Sequence, residues 1–192
     1  MLFLSNISVA QAVMGVKTKL EAKKILQRLQ RKSLLDSGSK PDSFSMHKLL
    51  HSFVRERGED EMIETMLNSK VRFPAIYVSL FEKLNEQFLT GQSMSAFVEF
   101  YEEKQNIIQS LTESCSDPKT CDAAFGVLIK AEISLDSLFW CDGEVVDKIY
   151  ESAIDVAKKL GKSAVYKQPL LSMAFGEVCR GTKGRTDRKS VV

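Results

Sequence analysis

Histidine is scarce in this chain: His47 and His51 are the only two among 192 residues. The four cysteines, Cys115, Cys121, Cys141 and Cys179, show no C-x-x-C spacing. With so few imidazoles they form no recognisable zinc pattern, and free thiols in a reducing compartment are expected. Proline (four) and glycine (ten) are also sparse, which leaves long stretches open to helix. No apolar run is long enough to span a membrane. The opening MLFLSNISVAQAVMG lacks a basic leader, and its apolar run is too short for a signal peptide. A cytoplasmic protein without membrane contact is therefore expected. Net charge is only +2, so global charge names no partner.

What the chain does have is apolar spacing of helical period almost throughout, and a mainly α fold is expected. Ala22, Ile25, Leu26 and Leu29 follow i, i+3, i+4, i+7 and predict a helix over about residues 18–32. Ser33-Leu34-Leu35, a polar turn over 36–42 and Ser43-Phe44-Ser45 read as a small β-hairpin. Met46, Leu49, Leu50, Phe53 and Val54 then predict a helix ending near Gly58, with Leu26, Leu29, Leu34, Leu49, Leu50 and Phe53 in one core. Lys70-Val71-Arg72-Phe73-Pro74 reads as a joint, because proline disfavours helix just before it. Beyond it, Tyr77, Leu80, Phe81, Leu84 and Phe88 predict a helix stopping at Thr90-Gly91. Further helices follow over about 94–115, after Pro118, over 143–161 and over 168–179. Joined by short turns, they suggest antiparallel helical hairpins stacked as a solenoid.

The chemistry-bearing patterns are mostly decoys. His47 and His51 have the i, i+4 spacing of an H-E-x-x-H zinc site, but Lys48 stands where the general-base Glu is needed. A cation there repels a metal and accepts no proton, so no metal site is expected. His51 reads as a helix-surface residue. Leu160-Gly161-Lys162-Ser163 matches the second half of a P-loop, yet Val156 replaces the first glycine and the preceding stretch is helical. Glu102-Glu103 and Glu59-Asp60-Glu61 read as exposed helix charges, not acid/base pairs. No catalytic residue is assigned. Lys17, Lys19, Lys23, Lys24, Arg28, Arg31 and Lys32 are opposed before residue 36 by Glu21 alone. Such a run is either a solvated helix face or a phosphate-facing one.

The order of motifs is more specific than any one of them. AKKILQRLQRKSLLDSG followed by SFSMHKLLHSFVRER resembles the winged-helix part of NB-ARC (STAND-type) ATPases, the nucleotide switches of apoptosis and innate immunity. Leu26, Leu29, Ser33, Leu34 and Leu35 carry the first part of the match. Met46 and His47 carry the family's Met-His-Asp motif, with Lys48 in place of the Asp. FVEFYEEKQNIIQSL resembles the helix that follows the winged helix in members with tetratricopeptide arrays, through Phe100, Glu103, Lys104, Asn106, Ile107 and Leu111. Tyr150, Ala153, Ala157, Leu160, Gly161 and Gly176 are similar to the second helix of one tetratricopeptide repeat and the first of the next.

The resemblance implies a partial winged helix over 1–69 and an incomplete tetratricopeptide-like array over 70–181. It also implies that His47 reaches the β-phosphate of ADP bound to a nucleotide domain that this chain lacks. ADP or ATP with Mg²⁺ would belong to the full-length protein and no cofactor to this chain, which is then not an enzyme. The implied partners are that nucleotide domain, a protein bound by the helical repeats and further copies of the full-length protein. An alternative reading is a winged-helix nucleic-acid binder using residues 17–32, although no other nucleic-acid signature accompanies that run. Met1 is expected to be an internal methionine of a longer chain. Residues 182–192 are expected to be a disordered tail. Within it, Asp187-Arg-Lys-Ser-Val-Val192 translates GAT-CGG-AAG-AGC-GTC-GTG, the start of a sequencing-library adapter, and is expected to be artefactual.

Overall fold

Helix ends decide the layout of the first part of the chain. In the computed structural model, residues 3–4, 7–38, 42–130, 143–161 and 165–189 are described, with backbone alone at 3–4, 48, 51, 55, 58–61, 66, 178 and 180–189. The described chain is mainly helical with a small antiparallel sheet. It divides into two compact units, residues 1–76 and 77–192.

In the first unit, β1 (Phe3–Leu4) precedes α1 (Ile7–Met14) and α2 (Lys19–Arg31). The turn between the helices opens at Gly15, whose φ of +68° places it in the left-handed region. Gly15 N–H donates to Ala12 C=O and Val16 N–H to Gln11 C=O, both at 3.2 Å. These two bonds close a Schellman motif, which glycine enters without Cβ strain. Thr18 then caps α2, its Oγ1 accepting from Glu21 N–H at 3.1 Å. Thr-x-x-Glu is the spacing of a capping box, and Glu21 suits the positive end of the helix dipole.

α2 ends in a second Schellman motif, with Ser33 at φ +57° in the place glycine usually takes. Ser33 N–H donates to Gln30 C=O at 2.9 Å and Leu34 N–H to Leu29 C=O at 3.0 Å. This shifts the expected hairpin. Ser33 and Leu34 are used to close the helix, so the first strand is β2 (Asp36–Ser37), not 33–35. β3 (Phe44–Ser45) falls where the sequence places it. β3 is the central strand of the order β1-β3-β2, antiparallel to both neighbours. Ala10, Leu26, Leu35 and Phe44 form the core, with Ile7, Met14, Leu29 and Met46 packed around them.

α3 (Lys48–Glu61) runs past Gly58. Leu49 and Phe53 are exposed, at 77% and 53%, and Leu50 is half-buried. The expected core of Leu26, Leu29, Leu34, Leu49, Leu50 and Phe53 is thus corrected. The space around Leu26 and Phe44 is filled from α1 instead, by Ile7, Ala10 and Met14. Arg57 lies over the exposed Phe53 ring, 5.7 Å from its centroid, and shields one face of it. The expected joint at 70–74 is also corrected. α4 (Ile63–Leu89) continues as helix through Pro74. Proline removes one N–H from the ladder, but buried Phe73, Tyr77, Val78 and Phe81 hold the turns on either side of it.

The second unit holds the rest of α4 and α5 (Ser93–Ser116), α6 (Cys121–Lys130), α7 (Gly143–Leu160) and α8 (Lys167–Lys189). α5 packs on α6 and α7, and α8 packs on α6 and α7. Tyr77, Phe81, Phe100, Phe125 and Tyr150 are fully enclosed. Tyr150 stacks on Phe175 at 5.4 Å, and its hydroxyl donates to Leu128 C=O at 2.9 Å. Phenol burial is tolerated because that donor is satisfied. α8 continues as helix through 182–189, residues the sequence assigns to a tail. No proline interrupts it there, and 190–192 lie outside the described residues.

Candidate functional site

His47 stands between the sheet and α3. The chain reaches it anchored, because Phe44 and Ser45 are buried and Met46 packs on the core. His47 itself is exposed. Its Nδ1 accepts a hydrogen bond from Leu49 N–H at 3.3 Å. That is the bond of an N-cap side chain, satisfying one of the N–H groups a first helical turn leaves without an intrahelical partner.

The cap fixes the chemistry of the ring. An Nδ1 that accepts must keep its lone pair, so the proton of the neutral imidazole sits on Nε2. His47 makes no other hydrogen bond among the described residues. The ring therefore offers one N–H donor at the start of a helix, where partial positive charge also favours an anion. This suits a single phosphate oxygen. It does not cradle a nucleotide, so ADP fits His47 only as one contact of a larger site. Protonating the ring would add a charge toward phosphate but remove the lone pair that caps α3. The side chains of Lys48 and His51 lie outside the described residues, and with them the surface reading of His51.

The other patterns fall as follows. Gly161 follows α7 directly and has φ +55°, a helix-terminating conformation open to glycine. A P-loop needs a strand before its glycines, and here a helix stands there. Residues 162–164 lie outside the described residues. Glu102 is exposed, but Glu103 is buried at 7%, which corrects its reading as an exposed helix charge. Asn106 Nδ2 donates to Glu103 Oε2 at 3.0 Å and to Tyr77 Oη at 2.9 Å. This amide ties α4 to α5 within the second unit. The residues Phe100, Glu103, Asn106, Ile107 and Leu111 are all buried. Lys104, the sixth residue of the motif, is half-buried, so most of the motif lies in the packing. The side chains of Glu59, Asp60 and Glu61 lie outside the described residues.

Among the described residues no group of three His, Cys, Asp or Glu side chains is arranged to hold a metal ion. No described helix is long and apolar enough to cross a membrane. Cys115 is buried and its thiol is pushed up to about 12, first by desolvation and then by Cys121. A thiol so placed is no nucleophile at neutral pH. Sequence reasoning singled out His47 but not its cap bond, which depends on a strand end delivering the ring to a helix start. It also missed Tyr77 as the partner of Asn106, a pairing 29 residues apart that no local spacing reveals.

No family model matches the chain, and no curated protein or solved structure matches it either.

Proposed function

We propose that this chain is a non-catalytic part of an NB-ARC (STAND-type) signalling ATPase. Its first unit serves as a partial winged helix that senses the nucleotide state. Its second serves as a tetratricopeptide-like array that presents helices to a protein partner. The setting is cytoplasmic, and the nucleotide, ADP or ATP with Mg²⁺, belongs to a domain outside this chain. The observation that carries the reading is His47. It sits at the junction of hairpin and helix, with Nδ1 committed to the cap and Nε2–H left as a directional donor. In the closed state that donor meets the ADP β-phosphate, and losing the contact releases the hinge, a ligand-biased two-state switch.

The test separates the two ring nitrogens. Asparagine is a strong N-cap but cannot reproduce a donor at the Nε2 position. In a longer chain carrying the nucleotide domain, His47→Asn should keep α3 intact yet release ADP roughly ten- to hundred-fold faster, because a hydrogen bond to a charged group is worth about 1.5–3 kcal/mol. Equal off-rates for wild type and His47→Asn would leave His47 a cap alone and remove the switch.

A further inference from the structure

The first unit carries a second feature that the switch does not use. α1 and α2 form a helix–turn–helix pair joined by the four residues 15–18. α2 has three distinct sides. Ala22 and Leu26 are buried in the core. A second flank is fastened to the hairpin, Lys23 to Asp42 by an ion pair of 3.0 Å and Gln30 to Ser37 by a hydrogen bond. The third side, roughly opposite the core on the helical wheel, bears Lys24, Arg28 and Arg31 at i, i+4 and i+7, all exposed.

None of these three side chains makes an ion pair or hydrogen bond among the described residues, and neither do the side chains of Lys17, Lys19 and Lys32 beside them. A solvated basic face normally has acids interleaved at i±4. Here Glu21 is the only acid on α2, and it sits in the first turn. The basic residues Arg28 and Arg31 complement the helix C-terminus, but that accounts for neither Lys24 nor the exposed Lys17 and Lys19 at the other end of the helix.

We infer that this face of α2 binds the phosphate backbone of a nucleic-acid duplex. The Lys24-to-Arg31 row is about 10 Å long, lies on a helix held by the core and by contacts to the hairpin, and is presented by the second helix of a helix–turn–helix, the element that enters a duplex groove. A bilayer is the weaker match. The one large exposed apolar residue on α2 is Leu20, too little to wedge into a lipid surface. The contacts are to phosphates, so binding is strongly salt-dependent and weakly dependent on sequence. This inference is independent of the nucleotide-switch reading.

The experiment is fluorescence anisotropy of the full chain with a labelled DNA duplex of roughly 20 base pairs, from about 50 to 200 mM salt. Binding in the micromolar range at low salt is expected, weakening steeply as salt rises. Lys24→Gln, Arg28→Gln and Arg31→Gln together should weaken it at least about tenfold and lower the log–log salt slope by about 2.7, since each lost phosphate contact removes about 0.9. An equal loss of charge in the second unit, by Lys104→Gln, Lys130→Gln and Lys158→Gln, should change affinity far less. Circular dichroism checks that each variant is folded, and Lys24→Glu alone serves if the triple variant is not. No binding at low salt, or an equal loss in both triple variants, would overturn the proposal. So would tighter capture by phosphatidylserine vesicles than by the duplex.

Discussion

Replacing a side chain tests its contact only when the rest of its surroundings are known. His47 caps α3 through Nδ1, so His47→Ala removes a cap and should cost about 0.5–2 kcal/mol, whereas His47→Asn should cost little. Urea denaturation of the isolated chain measures both. The two leucines read as core neighbours part company in the same way. Leu26 is 1% exposed and Leu49 is 77% exposed. Leu26→Ala should cost about 2–5 kcal/mol, and Leu49→Ala should stay within about 0.5 kcal/mol of wild type. Cys115 gives a pH-dependent case. Its thiol is raised from 9.0 to about 12, by desolvation first and Cys121 second. Below about pH 9 both folded and unfolded chains hold the proton. Above it the unfolded chain releases a proton that the folded one keeps, so stability falls as pH rises, by up to roughly 1.4 kcal/mol per pH unit. Cys115→Ala should flatten that decline between pH 9 and 12 in denaturation series. An unchanged slope would mean that Cys115 ionises alike in both states.

At the scale of elements, what was legible in the sequence was set by how local its cause is. α2 was readable because the Ala22–Ile25–Leu26–Leu29 spacing lies within one helix. The end of α4 was readable from Thr90-Gly91. The first hairpin strand was misplaced because Ser33 and Leu34 look like strand residues and are taken by the Schellman bonds of α2. Pro74 misled for a related reason: a local helix breaker was overruled by buried residues on both sides of it. The exposure of Leu49 and Phe53 could not be read at all. Periodicity marks a helix face as apolar, but which element covers it is a tertiary matter, and α1 filled the available space. His47 was singled out through a motif, while the cap bond its Nδ1 accepts from Leu49 N–H was not legible. The Schellman closure at Ser33 itself makes a prediction. A non-glycine residue in the left-handed region carries strain of about 1–2 kcal/mol, so Ser33→Gly should stabilise the chain by around 1 kcal/mol. A higher denaturation midpoint with an unchanged m-value is the expected readout.

The whole molecule joins two units of unequal core, and its stability should be distributed accordingly. In the first unit, Ala10, Leu26, Leu35 and Phe44 are the buried cluster, and the sheet consists of two-residue strands. In the second, Tyr77, Phe81, Phe100, Phe125 and Tyr150 are fully enclosed, and Asn106 satisfies Tyr77 and Glu103 inside that core. Buried aromatic area dominates such a comparison, at about 25 cal/mol per Å². Domains of this size are stable by only about 5–15 kcal/mol, and a small core lies toward the lower bound. Leu26→Ala, at about 2–5 kcal/mol, would then use much of the first unit's margin and little of the second's. Native-state hydrogen exchange resolves this, because amides in separate cooperative units report separate opening energies. In Leu26→Ala, protection should fall sharply over α1, α2 and the sheet while the amides of α5 and α7 keep wild-type rates. Asn106→Ala should do the reverse, leaving exchange in α2 at wild-type rates and speeding it in α5, since it leaves a buried carboxylate without its amide donor at a cost of about 1–3 kcal/mol or more. A uniform loss of protection along the chain in either variant would mean that the two units unfold as one, and that the larger core supports the smaller.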